Sequence, residues 1–332
     1  MKYYRIYGLN LIANIAVPGL TAIDLPVSNI PTVDVVLGLL PSWLTQKPTQ
    51  SYTSSNWYTS TTARLKSDGQ SETPLLQVWK IDLDRYFYCL YQDGTTFVVS
   101  RAGNEIWATW PNDLTVEDTA TYLLGPILGF VLRLQNVICL HASAISIKDR
   151  VVVLVGTAGA GKSTTAAAFA QQGYAVLSDD VVPLIDQGDT FLVQPAYPRI
   201  RLWNSSVQAL YGAAEDLPRL VPTHPTWDKR YLDLNQPGYH FQSEPLPLSA
   251  IYYLNERSND PLCPQIEPMT TQEQLVTLVA NTYTNYLLDK SLRAQEFEVL
   301  SRLVRQVPVR QIIPHADIGK LPQLLNMIIE DF

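Results

Sequence analysis

The chain has 332 residues, 46% of them hydrophobic and 17% charged, which is long enough for two domains and too apolar for a disordered chain. Its formal charge of −7 argues against a nucleic-acid or anionic-membrane partner, since either would select a basic surface. The three cysteines, Cys89, Cys139 and Cys263, are odd in number and far apart, so neither a disulfide framework nor a metal knuckle fits them. A reducing cytoplasm is the expected compartment. Lys2 and Arg5 precede a mildly apolar stretch that Asn10 and Asn14 interrupt, so a secretory leader is not expected. No run approaches the ~20 apolar residues of a membrane span.

In chain order, the first third reads as β-rich. Short strands are expected at 3–9 and 34–37, and 45–73 reads as a polar loop or a pair of exposed strands. The runs at 86–91 and 96–100 are aromatic and β-branched, and Gln92-Asp93-Gly94 between them signals a hairpin. Residues 1–117 are therefore expected to form a β-rich N-terminal domain. Tyr122, Leu123, Pro126, Ile127, Phe130, Val131 and Leu134 then recur on one helical face. Asp118 or Thr119 would cap this helix, Gly125-Pro126 would kink it, and 118–139 would link two domains.

Residues 140–147 and 151–155 are apolar runs joined by Lys148-Asp149, which predicts an antiparallel hairpin. An ordinary doubly wound nucleotide fold has no such hairpin here. If Ile147 pairs with Arg150 or Val151, His141 falls opposite Gly156 or Thr157.

The next residues are Gly156-Thr157-Ala158-Gly159-Ala160-Gly161-Lys162-Ser163, a full match to the phosphate-loop pattern G-x-x-x-x-G-K-[ST]. An apolar strand leads in and a helix beginning at Thr164 leads out, the order this mechanism needs. The glycines let successive N–H groups face phosphate oxygens, and the helix adds the positive end of its dipole. Lys162 would reach the outer phosphates and the Ser163 hydroxyl would hold Mg²⁺. ATP and Mg²⁺ are the cofactors expected.

The helix closes at Gly173, and a strand at 174–178 ends in Asp179-Asp180. Residues 197–247 are proline-rich and irregular apart from a helix near 205–211, and read as a mobile lid. A strand at 250–254, helices at 271–284 and 294–304, a strand at 309–313 and a helix at 321–329 follow.

Paired acids after a phosphate loop suit phosphoryl transfer, because Mg²⁺ takes hard oxygen ligands and the attacking hydroxyl needs a proton acceptor. Successive strand residues face opposite ways, so Asp179 and Asp180 should differ in role. Among the basic residues of the irregular segment, Arg201 and the Lys229-Arg230 pair would neutralise phosphoryl charge or clamp an acidic substrate, and Arg199 is left open. His224, His240 and His315 read as structural or exposed.

Leu140-His141-Ala142-Ser143, the phosphate loop, Gln172-Gly173 and Asp179-Asp180 together resemble the HPr kinase/phosphorylase family, and more closely its kinase-like relatives of natural-product clusters. The stretch from Tyr197 to Trp203, the pair Lys229-Arg230 and the opening Tyr4-Arg5-Ile6-Tyr7-Gly8 are similar as well. The resemblance implies an α/β fold: a phosphoenolpyruvate-carboxykinase-like P-loop kinase domain with a mixed sheet at 140–332, preceded by the β-rich domain. It also implies that Asp179 is the acid/base aspartate, that Asp180 lies near the metal, and that His141 stands near the phosphates. Arg199 occupies the position of the family's metal-binding glutamate, which puts a second metal and the phosphorylase reaction in doubt. The family's usual N-terminal domain is replaced by the β-rich region, so HPr itself is a poor guess as substrate.

The expected activity is an ATP-dependent kinase acting on a hydroxyl of a peptide, protein or small molecule, with Asp179, His141, Lys162 and Arg201 catalytic. The nucleotide would be held by 156–164 with Lys229 and Arg230, and the metal by Ser163 and Asp180. The rival is a nucleotide-binding regulatory or assembly protein with little transfer; a hydrolase or phosphorylase is disfavoured by Arg199. Oligomeric state is left open, a homo-oligomer included.

Overall fold

The computed structural model describes residues 1–45, 55–60, 63–65, 72–222 and 227–332. His224 and, within the polar stretch 45–73, residues 46–54, 61–62 and 66–71 lie outside the described residues. The chain divides into two compact units, Met1–Gln135 with Tyr286–Leu288, and Asn136–Asn285 with Asp289–Phe332. No helix among the described residues is long and apolar enough to cross a membrane.

In the first unit, strands β1 (Lys2–Ile6), β2 (Leu9–Ala13), β3 (Thr32–Leu37), β4 (Ser55–Thr59), β7 (Leu76–Ile81), β8 (Tyr86–Tyr91), β9 (Thr96–Ser100) and β10 (Glu105–Thr109) form one mixed sheet. Its order is β1-β2-β3-β10-β9-β8-β7-β4, while β5 (Ala63–Leu65) and β6 (Glu72–Pro74) pair with each other. Strands β8 and β10 alternate buried with half-buried residues, so one face of this sheet is core. Phe87 on that face meets Phe130 edge-on, with ring centroids 4.9 Å apart.

Beyond the short helix α1 (Ser42–Thr45), Phe130 belongs to a helical run of α2 (Val116–Tyr122), a π turn (Leu123–Ile127) and α3 (Leu128–Leu134), all within the first unit rather than a separate link. The cap is Thr115, not Asp118 or Thr119; Asp118 is its capping-box partner. Pro126 has no N–H to give, and the helix absorbs it as a wider turn at the expected kink.

The second unit holds a seven-stranded mixed sheet of β11 (Ile138–Ile147), β12 (Arg150–Val155), β13 (Val176–Asp186), β14 (Phe191–Val193), β17 (Leu246–Leu254), β18 (Gln265–Pro268) and β19 (Val309–Ile313). Strand β12 runs antiparallel to β11 but parallel to β17. The β11–β12 turn is Lys148-Asp149, both at positive φ (50° and 61°), as a two-residue hairpin of right-handed twist requires. Ile147 pairs with Arg150, and the register runs to Ala142 opposite Val155. His141 therefore lies where β12 gives way to the phosphate loop.

Alternation divides this unit's core into two layers. Val152, Leu154, Ala250 and Tyr252 pack with α4 (Lys162–Gln171) and α8 (Leu321–Asp331). Val151, Val153, Val155 and Ile251 pack instead with Leu278 of α6 (Thr271–Ala280) and with Leu300 and Leu303 of α7 (Lys290–Gln306).

The segment 197–247 is not the coreless lid its prolines predict. It contains β15 (Arg199–Trp203), α5 (Asn204–Tyr211) and β16 (Lys229–Asp233), with β15 and β16 paired antiparallel. Ile200, Leu202, Val207 and Leu232 are all buried in the layer that holds α4. Each such side chain is worth about 1.5–3 kcal/mol of burial, enough to fix the described part of the segment.

Candidate functional site

Strand β12 ends at Val155 and the loop begins at Gly156, where a Cβ would stand only 2.8 Å from the Leu254 carbonyl oxygen. Only glycine lets the end of β17 pack this closely on the loop. Gly161 enters α4 with φ 107°, a left-handed turn that a side chain would strain. No side chain caps α4, so its first N–H groups stay available to an anion.

Lys162 is buried, and its Nζ donates to the carbonyls of Gly156 (2.7 Å) and Thr157 (3.1 Å). Burial lowers its pKa, against the opposing pull of Asp179 and Asp180. A buried cation held by neutral carbonyls gains by exchanging them for anionic oxygens. Thr164 closes the motif differently, sharing a hydrogen bond with Ser206 Oγ at 2.8 Å.

The two acids do not end their strand. Strand β13 continues through both to Asp186, and Asp180 takes φ 75°, which breaks the usual alternation between neighbours. Asp179 is buried and accepts three hydrogen bonds: Oδ1 from Ser143 Oγ (2.6 Å) and Ser163 Oγ (2.8 Å), and Oδ2 from the Arg201 N–H (3.0 Å).

Asp180 is 19% exposed at the side chain and faces His141 Nδ1 (3.3 Å), the Tyr283 hydroxyl (3.0 Å) and the Arg201 guanidinium (3.7 Å). Burial would raise its pKa, but the His141 hydrogen bond and the charges of Arg201, His141 and Lys229 outweigh that and hold it well below the usual carboxylate range.

Arg201 is buried, with Nε donating to the Tyr197 hydroxyl at 2.8 Å. Lys229 lies opposite Trp203 in the β15–β16 pair, its Nζ 5.2 Å from that ring's centroid. Its pKa is lowered by burial, with Asp180 acting against the shift, Arg201 with it, and Asp179 again against. Arg230 is engaged elsewhere: Nε donates to Asp228 (2.9 Å) and Nη1 to the Leu217 carbonyl (3.0 Å). Arg199 covers the Tyr231 ring at 4.0 Å, and His240 is exposed. His141, Lys162, Ser163, Asp179, Asp180, Arg201 and Lys229 are thus brought to one place by contact or charge; Arg230 and Arg199 are held by other partners.

Ser143, Tyr197 and Tyr283 complete this cluster, although sequence reading assigned them no role. Ser143 follows from the register, since it pairs with Asp179 across β11 and β13. Tyr283 had no local signal; it arrives because the segment after α6 hydrogen-bonds to β11, His141 N–H to the Asn281 carbonyl and Tyr283 N–H to that of Cys139.

Ser163 and Asp179 form a hydroxyl–carboxylate pair of hard oxygens, the donor chemistry that Mg²⁺ takes. Among the described residues no cluster of three or more His, Cys, Asp or Glu is placed to hold a metal, so an ion here would need phosphate and water oxygens to complete its shell.

No protein-family model matches the chain, and no curated protein is similar to it. Among solved structures, the Hpr(Ser) kinase/phosphatase from Coxiella burnetii is similar over 58% of this chain and 94% of its own, at 16% identity and a TM-score of 0.31. A likeness of that size carries no argument about activity.

Proposed function

We propose that this chain is a phosphotransferase that moves the γ-phosphoryl group of ATP to a hydroxyl acceptor. The observation that carries this reading is the partly exposed Asp180, held beside His141, Arg201 and Lys229, next to a carboxylate bonded to the phosphate loop's own Ser163. A site that only binds nucleotide has no need of the second carboxylate. The antiparallel β11–β12 hairpin and the mixed sheet support a phosphoenolpyruvate-carboxykinase-like P-loop kinase domain over a doubly wound one.

The contacts favour exchanging the two acids' expected roles. Asp179, buried and bonded to Ser163, fits the metal side; the partly exposed Asp180 fits the acceptor's proton. Bound Mg²⁺ would neutralise charge on the outer phosphates. Lys162 would leave the Gly156 and Thr157 carbonyls for those phosphates, and the loop amides would hold them. As the acceptor oxygen bonds to the γ-phosphorus, its proton passes to Asp180, the bond to the β–γ bridging oxygen breaks, and ADP leaves with that electron pair. Arg201 and Lys229 would offset the charge on the transferred group.

One observation favours the rival reading, a nucleotide-binding protein with little transfer. A carboxylate held as acidic as Asp180 is a weak base. Phosphates bound near Arg201 and Lys229 would draw those cations off and restore basicity, so the two readings diverge in the presence of ATP. Transfer from labelled ATP into hydroxyl-bearing candidates, with Asp180→Asn as control, separates them. The acceptor class, a cytoplasmic location consistent with three free buried cysteines, and any homo-oligomer belong to the same proposal.

A further inference from the structure

The segment that follows α6 is tied down along its length. The Asn281 side chain donates to the Thr277 carbonyl at 2.8 Å, and the Thr282 hydroxyl to that of Val279 at 3.0 Å. Leu140 and Thr282 form an antiparallel bridge to β11. The His141 N–H on the Asn281 carbonyl (2.8 Å) and the Tyr283 N–H on that of Cys139 (2.7 Å) flank it. The chain then turns at Thr284 with φ 51°, left-handed backbone that a β-branched residue rarely adopts. The Thr284 hydroxyl is buried without a hydrogen-bond partner among the described residues. Strained backbone and an unsatisfied hydroxyl both cost stability, and such strain clusters at functional sites.

What this segment delivers is Tyr283. Its ring lies against that of His141, with centroids 5.5 Å apart, and its hydroxyl donates to Asp180 Oδ2 at 3.0 Å. His141 Nδ1 stands 3.3 Å from the other oxygen, Oδ1. The Asp180 carboxylate is therefore held at both oxygens, which sets its plane.

We propose that Tyr283 is a positioning residue for phosphoryl transfer, orienting Asp180 toward the acceptor hydroxyl and staying on Oδ2 once nucleotide is bound. The inference rests on the reading of Asp180 as the proton acceptor. Arg201 also faces Oδ2, at 3.7 Å, but bound phosphates compete for a cation. They compete far less for a neutral hydroxyl, so Tyr283 keeps the carboxylate in place when Arg201 turns to the transferred group. The acceptor's proton passes to Asp180, and Tyr283 keeps its own. Its part is orientation.

Water is a hydroxyl acceptor of known identity, so phosphate release from Mg²⁺·ATP by the full chain is the assay. Tyr283→Phe removes the hydroxyl but keeps the ring and the backbone bond to Cys139. It should lower kcat about tenfold, the cost of one orienting hydrogen bond, with the KM for ATP within about twofold. In the Asp180→Asn background the same change should matter less than about twofold, because Tyr283 acts through that carboxylate. Unchanged kcat in Tyr283→Phe beside a large loss in Asp180→Asn overturns the inference and leaves the reading of Asp180 standing. A further loss of about tenfold in the double variant does the same. Full release by Asp180→Asn overturns both. A second measurement needs no turnover. With tyrosine isotope-labelled at Cζ for NMR, the signal missing from Tyr283→Phe should move in Asp180→Ala and should not move there when Mg²⁺·ATP is added to the unmodified chain. A signal indifferent to Asp180→Ala, or one that ATP carries to the Asp180→Ala position, overturns the inference. Where phosphate release is too slow to follow, this signal decides alone.

Discussion

Arg201 holds Asp179 through its main chain, the N–H donating to Oδ2 at 3.0 Å, while its guanidinium turns to Asp180 at 3.7 Å. One residue of β15 thereby reads both acids of β13 from two ends. The placement depends on β15 being fixed, and its neighbours Ile200 and Leu202 are buried in the core.

That dependence gives a stability prediction. Leu232→Ala, on the partner strand β16, should cost about 2–5 kcal/mol in denaturant unfolding, the range for a buried leucine. It should also weaken nucleotide-dependent transfer by loosening Arg201. A cost below ~0.5 kcal/mol, the size of a surface substitution, would restore the coreless lid.

Lys162→Ala should abolish tight binding of Mg²⁺·ATP, because the lysine supplies the charge the motif places on the outer phosphates. It should not unfold the chain, since Lys162 gives up only two bonds to carbonyls and a buried charge. Calorimetry showing unchanged affinity would contradict the phosphate-loop reading.

The acidity of Asp180 sets a pH dependence. In the folded chain its carboxyl is held below the usual range by His141, Arg201 and Lys229, with Tyr283 also donating to it. Unfolded, it returns to about 3.9, so the unfolded chain binds the proton first. Its stabilising contribution is complete above the unfolded value and is lost as pH falls toward the folded one. Urea midpoints between about pH 6 and pH 3 should fall more steeply for the unmodified chain than for Asp180→Asn. Parallel curves would mean that Asp180 carries no depressed pKa.

Much of the site was legible because it is local. The phosphate loop is one unbroken run, and the Lys148-Asp149 turn fixes the register that carries His141 to the loop. What was hidden depends on contacts distant in sequence. Nothing near Tyr283 announces that the segment after α6 will bond to β11. Five-residue strands such as β15 and β16 are too short to show a period among prolines, so their buried Ile200, Leu202 and Leu232 read as loop. The roles of the acids were blurred for a third reason. Alternation predicts different surroundings for Asp179 and Asp180, but the positive φ of Asp180 breaks that alternation, and only the Ser163 contact shows which acid faces the loop.

The division of labour between those acids is the central claim, and single-turnover transfer from labelled ATP measures it most directly. Asp180→Asn should keep Mg²⁺·ATP affinity within a few-fold yet lose transfer by roughly two to four orders of magnitude, the worth of a positioned proton acceptor. Asp179→Asn should lose the Mg²⁺-dependent part of ATP binding, as expected for a residue bonded to Ser163. Full transfer by Asp180→Asn, with its loss in Asp179→Asn at unchanged Mg²⁺·ATP affinity, would contradict the account and return the proton to Asp179.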